Sequence, residues 1–251
     1  MSPDNRAIYN ANWQRWLDMK VHGPASRWLR FLIRSQLRHI SHPETIRSIL
    51  DVGCGEGTVT YLLAKWFPNA KTEGIDFSEM GIQCAESRYS LQNLHFSVDL
   101  FSDALTRKYD LVTAFEVLEH VEDWRTLLGR ITDSAQQFVL LSYPTGQMRP
   151  FEKDVGHYRN FKRGEVETFL LNHGFYTCLA WYAGFPFYSP IYRDMCNTLH
   201  SISRDFGAGS YNAWKKMLTH IFYILFRFLS TKRTLGDQFC GLFISHDYSR
   251  Y

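Results

Sequence analysis

The feature that most constrains this chain is the loop Gly53-Cys54-Gly55-Glu56-Gly57, set between the apolar run SILDV and the segment TVTYLLAKW. A short apolar run, three glycines at alternate positions and a helix-forming stretch predict a strand, a tight turn and a helix. Glycine lets the backbone pass close to a ligand, and the first N–H groups of the helix, with the positive end of its dipole, face the same spot. The spacing G-x-G-x-G departs from the dinucleotide pattern, and Asp51 puts a carboxylate where a pyrophosphate must sit. A ligand with a positive centre fits better. At the end of the next apolar run, TEGID, Asp76 stands where nucleotide-binding α/β folds take ribose hydroxyls, so the loop and the two acids together read as a nucleoside site.

Around this loop short β-type runs alternate with helical segments: SILDV, TEGID, LHFSVD, YDLVTAF and QFVLLSY, with TVTYLLAKWF and SEMGIQCAESRY between the first three. Such alternation predicts an α/β fold with a parallel sheet and helices on both faces. Ahead of it, residues 24–40 place Trp28, Leu32, Ile33 and Leu37 on one face and Arg27, Arg30, Arg34 and Arg38 on another, an amphipathic helix. After Pro144 come the loop TGQMRPFEKDVGHYRNF, a helix over 163–173, a strand over 175–183 and a last strand over 238–246. The length suits one domain over 1–251. It divides into a helical preface (1–45), a core (46–183), a helical insertion (184–236) and a last strand with its tail (237–251).

Composition narrows the class without naming a partner. With 45% hydrophobic and 21% charged residues the chain can bury a core, and a net charge of +3 decides nothing about nucleic acid or membrane. The segment 158–192 holds 11 aromatics in 35 residues, against 16% for the whole chain, which predicts that something apolar is bound or covered there. Five widely spaced cysteines without a C-x-x-C pair argue against a disulfide framework or zinc ribbon, so a reducing cytoplasm is the expected setting. No run reaches the ~18 apolar residues of a spanning helix, and the first fifteen residues lack an apolar run of signal-peptide length.

The segments ILDVGCGEG, GIDFSEM, VDLF, YDLVTAFEVLEHVED and LLSYP, in this order over 49–145, resemble class I S-adenosylmethionine-dependent methyltransferases of the type 11 and ubiquinone-pathway O-methyltransferase kind. The resemblance implies a Rossmann-like seven-stranded sheet whose last strand runs antiparallel, with S-adenosyl-L-methionine across the carboxyl ends of the first strands. It puts Asp51, Gly53, Gly55 and Gly57 on the donor loop, Asp76 on the ribose and Phe77 beside the adenine. Asp99 and Leu100 fall on the adenine edge and Phe115 on the methionine portion. The preface and the insertion depart from the common core and must carry acceptor choice.

Glu116, Glu119 and His120 lie at i, i+3 and i+4, so a helix starting at Glu116 would project all three from one face into the crevice at the sheet's carboxyl edge. With His157 as a fourth ligand they would hold Mg²⁺ or Mn²⁺ rather than zinc, because oxygen ligands dominate and there is no thiolate. The set resembles the metal site of small-RNA 3′-terminal 2′-O-methyltransferases and, through E-x-x-E-H, metal-assisted ubiquinone-pathway enzymes. The alternative is that the acids cap or solvate a helix start, His120 packs beneath the donor and no metal is used. His120 or His157 could separately act as general base, since an unperturbed imidazole is largely neutral at pH 7.

The expected acceptor is a small hydroxylated molecule, aromatic or lipid-like. An RNA 2′-hydroxyl is the second reading, supported by the Glu116/Glu119/His120/His157 set and the arginine stripe. A non-catalytic module that binds S-adenosylmethionine is the third. The window 217–229, with Lys215, Lys216, Lys232 and Arg233 around it, would suit peripheral membrane contact or a lid helix packed on the domain. In the lid reading Met195, Phe206, Tyr211 and Trp214 would line an acceptor pocket. Oligomeric state is left open.

Overall fold

Side chains along a strand alternate between faces, so each apolar run here can feed two cores at once. The computed structural model describes residues 13, 15–101, 103–199, 205–232 and 234–248. The helical preface is α1 (15–22) and α2 (Pro24–Leu37). The βα core runs β1 (Ser48–Val52), α3 (Thr58–Trp66), β2 (Lys71–Asp76), α4 (Glu79–Arg88), β3 (Leu94–Val98), β4 (Tyr109–Phe115), α5 (Trp124–Ser134) and β5 (Ala135–Pro144). Then come α6 (Pro150–Asp154), α7 (Glu165–Asn172), β6 (Phe175–Ala183), α8 (Arg193–Thr198), α9 (Ala213–Leu229) and β7 (Gln238–Ser245).

The seven strands form one sheet in the order β3-β2-β1-β4-β5-β7-β6. The pairs among β1 to β5 are parallel, and β7 runs antiparallel to both β5 and β6. This is the Rossmann-like methyltransferase sheet that the motifs imply. The strand order reverses between β1 and β4, and the carboxyl ends beside that point are where open α/β sheets bind ligands.

Leu50, Val52, Val112, Val139 and Leu141 pack on one face with Leu127, Leu128 and Ile131 of α5 and Val166 and Leu170 of α7. Their neighbours Ile49, Leu111, Phe138 and Leu140 pack on the other with Trp28, Leu32 and Ile33 of α2, Leu63 of α3 and Phe226 of α9. The preface and insertion therefore close one face of the sheet. Gln36 of α2 donates to the Cys240 carbonyl of β7 at 2.9 Å, a buried bond between the two ends of the chain.

Three expectations are adjusted. No helix starts at Glu116. That residue has φ 55°, a 3₁₀ turn follows at Leu118–His120, and α5 begins only at Trp124. The physical cause is the cap: the Asp123 carboxylate accepts from the Thr126 N–H and starts the helix there. The expected helix over 163–173 is Glu165–Asn172, bounded by Gly164 and Gly174, both at φ 80°. Of the helical preface expected over 1–45, residues 1–12 and 14 lie outside the described residues, and Gly23-Pro24 separates α1 from α2.

The aromatic density of 158–192 is also largely structural. Phe161, Phe175 and Trp181 are core, and Tyr188 and Tyr192 pack on Trp28 and Phe226. Of the four residues expected to line an acceptor pocket, Tyr211 is buried, whereas Met195 and Trp214 face solvent.

Candidate functional site

At the carboxyl end of β1 the chain turns through Gly53, Gly55 and Gly57 at φ 71°, 54° and 80°. The N–H groups of Gly53 and Cys54 donate to the Ile75 carbonyl at 2.8 and 2.9 Å, which locks the loop to the end of β2. A Cβ on Gly53 would lie 2.5 Å from Val117 Cγ2, so the loop is pressed against the turn after β4. Asp76 accepts the Gly55 N–H at 2.9 Å and the Ser78 N–H at 2.8 Å. Asp51 turns inward, accepting from Thr60 Oγ1 at 2.6 Å and Thr113 Oγ1 at 2.7 Å, and so ties α3 and β4 to β1 beneath the loop. Burial raises both carboxyls to about 6 against the lowering by these hydrogen bonds.

Beside the loop, Phe77 meets Phe101 edge-on at 6.4 Å, and with Leu100, Val121 and Leu127 they line a hollow of about 320 Å³. Leu100 is 68% exposed there, and Asp99 Oδ2 accepts from the Ala104 N–H at 2.9 Å. Phe115 sits half-buried at the end of β4. Two further neighbours carry no sequence signal. The Trp13 indole covers Gly55 and Gly81: a Cβ on either would lie 2.5 or 3.1 Å from it. The Lys20 ammonium, 5.8 Å from that indole, acts on Asp76, Glu116, Glu119, His120 and His157, lowering the pKa of each. Both lie in α1 or just before it, and no motif marks them.

The turn after β4 brings Glu119, His120 and His157 together, one ligand atom of each lying within 4.8 Å of the others. The imidazoles meet edge-to-face at 4.6 Å, and Gly156 O lies 3.1 Å from His120 Nδ1. Glu116 stands apart from this group. Its Oε1 accepts from Ser142 Oγ and Gln238 Nε2, each at 2.8 Å. Glu119 is fully buried, and neither carboxylate oxygen has a hydrogen-bond partner among the described residues. Burial, then the Glu116 charge, raise its carboxyl well above the ordinary range, while burial lowers His120 to about 3 and His157 to about 4. Both imidazoles are thus neutral at pH 7.

His157 reaches this place because the loop after β5 is clamped at several points. Arg159 donates to the carbonyls of Val121 and Glu122, and the Tyr158 N–H to the Glu119 carbonyl at 2.8 Å. An ion cluster around a buried Arg193–Glu152 pair holds the rest. Arg193 pairs with Glu152, both Arg193 and Arg149 approach Asp237 at 3.7 and 3.9 Å, and Arg149 Nε donates to Asp194 at 2.6 Å. The cluster joins α6, α8 and the start of β7 around the loop. Burial lowers Arg193 to about 10, which leaves it charged at pH 7.

Comparison with known proteins agrees with this architecture. A methyltransferase domain family matches residues 14–176. A malonyl-[acyl-carrier protein] O-methyltransferase of Acetivibrio thermocellus is 32% identical over 98 residues, 39% of this chain and 35% of that protein. A ubiquinone biosynthesis O-methyltransferase of Methylococcus capsulatus is 36% identical over 95 residues, 36% of this chain and 39% of that protein. The matches thus span little more than a third of those relatives' length. The magnesium protoporphyrin IX methyltransferase of Synechocystis PCC 6803, solved with bound SAH, aligns at a TM-score of 0.55 and 19% identity, over 70% of this chain and 91% of that one, a likeness of fold. The glycine loop, the sheet order and the family match converge on one conclusion: the chain belongs to the class I S-adenosylmethionine-dependent methyltransferases.

Proposed function

We propose that the chain transfers the donor methyl group to a hydroxyl of a small aromatic or lipid-like acceptor, with His120 or His157 taking the hydroxyl proton. The observation that carries this reading is the meeting of two neutral imidazoles with Glu119 on the turn that packs Val117 against the donor loop. The acceptor oxygen would bond to the donor methyl carbon as the carbon–sulfur bond breaks, and the proton would pass to the imidazole. Both relatives above are named as O-methyltransferases, which favours oxygen as the methylated atom.

In this reading the backbone at Gly53, Gly55 and Gly57 cradles the donor, with Asp51 fixing the loop from below. Asp76 takes the ribose, Phe77, Asp99 and Leu100 the adenine side, and Phe115 the methionine portion. We read 1–251 as one domain working in a reducing cytoplasm; none of the five cysteines is in a disulfide among the described residues.

A second reading rests on one observation, the two unpartnered oxygens of buried Glu119. Glu119, His120 and His157 fit a divalent cation such as Mg²⁺ or Mn²⁺, which would lower the pKa of an acceptor hydroxyl. Glu116 is then outside the ligand set. The deciding experiment is methyl transfer to a panel of small hydroxylated acceptors, with and without chelator. Turnover unchanged in chelator and lost in His120→Ala or His157→Ala supports the base. Loss in chelator with recovery on Mn²⁺ supports the metal. Full activity of both histidine variants overturns both readings.

A further inference from the structure

α9 fully buries only Thr219 and Phe226. Its opposite side carries Trp214, Met217, Ile221, Ile224 and Phe228, spaced alternately by three and four residues and exposed at 64, 46, 45, 40 and 75%. That spacing sets them in one stripe along the helix. A continuous apolar stripe in water marks a surface that is covered in use.

Charge identifies the cover. Residues 19–43 and 206–236, which contain α2 and α9, hold ten of the chain's 28 lysines and arginines and none of its 25 acids. The rest of the chain therefore carries an excess of seven acids over bases. α9 packs against α2, so the two acid-free helices form one face. Cations stand over aromatic rings of this face beside the stripe. The Arg227 guanidinium lies 3.8 Å from the Phe31 ring centroid and 5.6 Å from that of Phe228, the Lys232 ammonium lies 5.1 Å from Phe31, and Arg27 lies 4.2 Å from Tyr223. A second copy of the same face would set these cations against their own kind. Anionic lipid headgroups over acyl chains complement both the charge and the stripe. Among the described residues no helix is long and apolar enough to cross a membrane, so α9 would lie in the interface plane.

We propose that the face formed by α9 and α2 docks on an anionic phospholipid surface, with the Trp214–Phe228 stripe in the headgroup boundary. The test is cosedimentation with phosphatidylcholine vesicles, with and without about one-third phosphatidylglycerol, in the absence of donor and acceptor, so that it is independent of the acceptor and mechanism proposed above. The expected result is partition onto the anionic vesicles at least about tenfold stronger than onto the neutral ones, weakening as salt rises from about 0.05 to about 0.5 M. Ile224→Ser/Phe228→Ser should lower partition roughly tenfold or more. Lys216→Glu/Lys232→Glu should remove the preference for the anionic lipid, and both double variants should keep the far-UV spectrum of the parent. No partition, or equal partition onto both vesicles, overturns the proposal. So does a dimer in sedimentation equilibrium that Ile224→Ser/Phe228→Ser dissociates, which would assign the stripe to a second copy.

Discussion

Replacing Gly53 by alanine tests whether the glycine loop after β1 is held by steric necessity. Two costs follow from the structure. At φ 71° an L-residue meets its own carbonyl, worth roughly 1–2 kcal/mol. The new methyl would also stand 2.5 Å from Val117 Cγ2, and Val117 is buried and β-branched, so it cannot simply rotate away. Overpacking of that kind costs about 1–3 kcal/mol. Together they predict about 2–5 kcal/mol, which at ~2–4 °C per kcal/mol for a chain of this size is a Tm lower by roughly 4–20 °C. Calorimetry of Gly53→Ala, Val117→Ala and the double variant separates the two costs. Removing the Val117 methyls should recover the overpacking part, a coupling of about 1–3 kcal/mol, and leave the backbone part. Donor affinity, read by titration with S-adenosylmethionine, should fall in Gly53→Ala because the loop must shift. A Tm within about 2 °C of the parent, or strictly additive costs, would refute the reasoning.

Gly129 is the converse case: it lies in α5 with nothing within 4 Å of a Cβ, so Gly129→Ala should stabilise by ~0.5–1 kcal/mol in urea unfolding. Asp51 ionises near 6 when folded against 3.8 for an aspartate in water, so the folded chain keeps a proton that the unfolded chain has lost between those values. Its contribution to stability therefore falls as pH rises from about 4 to about 6. Asp51→Asn should remove that slope, on the order of 3 kcal/mol at ~1.4 kcal/mol per unit, and an unchanged pH profile of unfolding counts against it. Arg193→Met leaves buried Glu152 unpaired and should cost about 3–5 kcal/mol, most of it recovered in Arg193→Met/Glu152→Met; equal loss in both variants would show that the pairing is not the cause. Trp28→Ala empties a site 1% exposed between α2 and the sheet and should cost ~3–5 kcal/mol, whereas a loss under about 1 kcal/mol would mean that the preface is not part of the core.

The turn after β4 shows where sequence reasoning stops. Helical spacing groups Glu116, Glu119 and His120, yet the turn that carries them is not an α-helix. Glu119 and His120 still meet His157, while Glu116 is drawn to Ser142 and Gln238. Whether a helix starts at 116 or 124 depends on which end is satisfied in the fold, and the Asp123 carboxylate, which accepts the Thr126 N–H, settles it at 124. The aromatic segment misleads for a related reason. Composition records that rings are dense and is silent on whether they face a ligand or each other.

Local order, by contrast, is written in the chain. The alternation of β-type runs with helical ones, the three glycines before α3 and the acids Asp51 and Asp76 determine a doubly covered sheet, parallel over β1 to β5, with a glycine turn at its carboxyl edge, because each signal depends on residues within one turn or one strand. The tertiary structure alone decided that the preface and the insertion form one wall, that His157 stands beside His120, and that α9 leaves its second apolar side in water. Each of these joins segments tens of residues apart or more, such as Gln36 with Cys240 and Glu119 with His157. Pairings of that range depend on how whole elements pack, and no periodicity along the chain records which faces will meet.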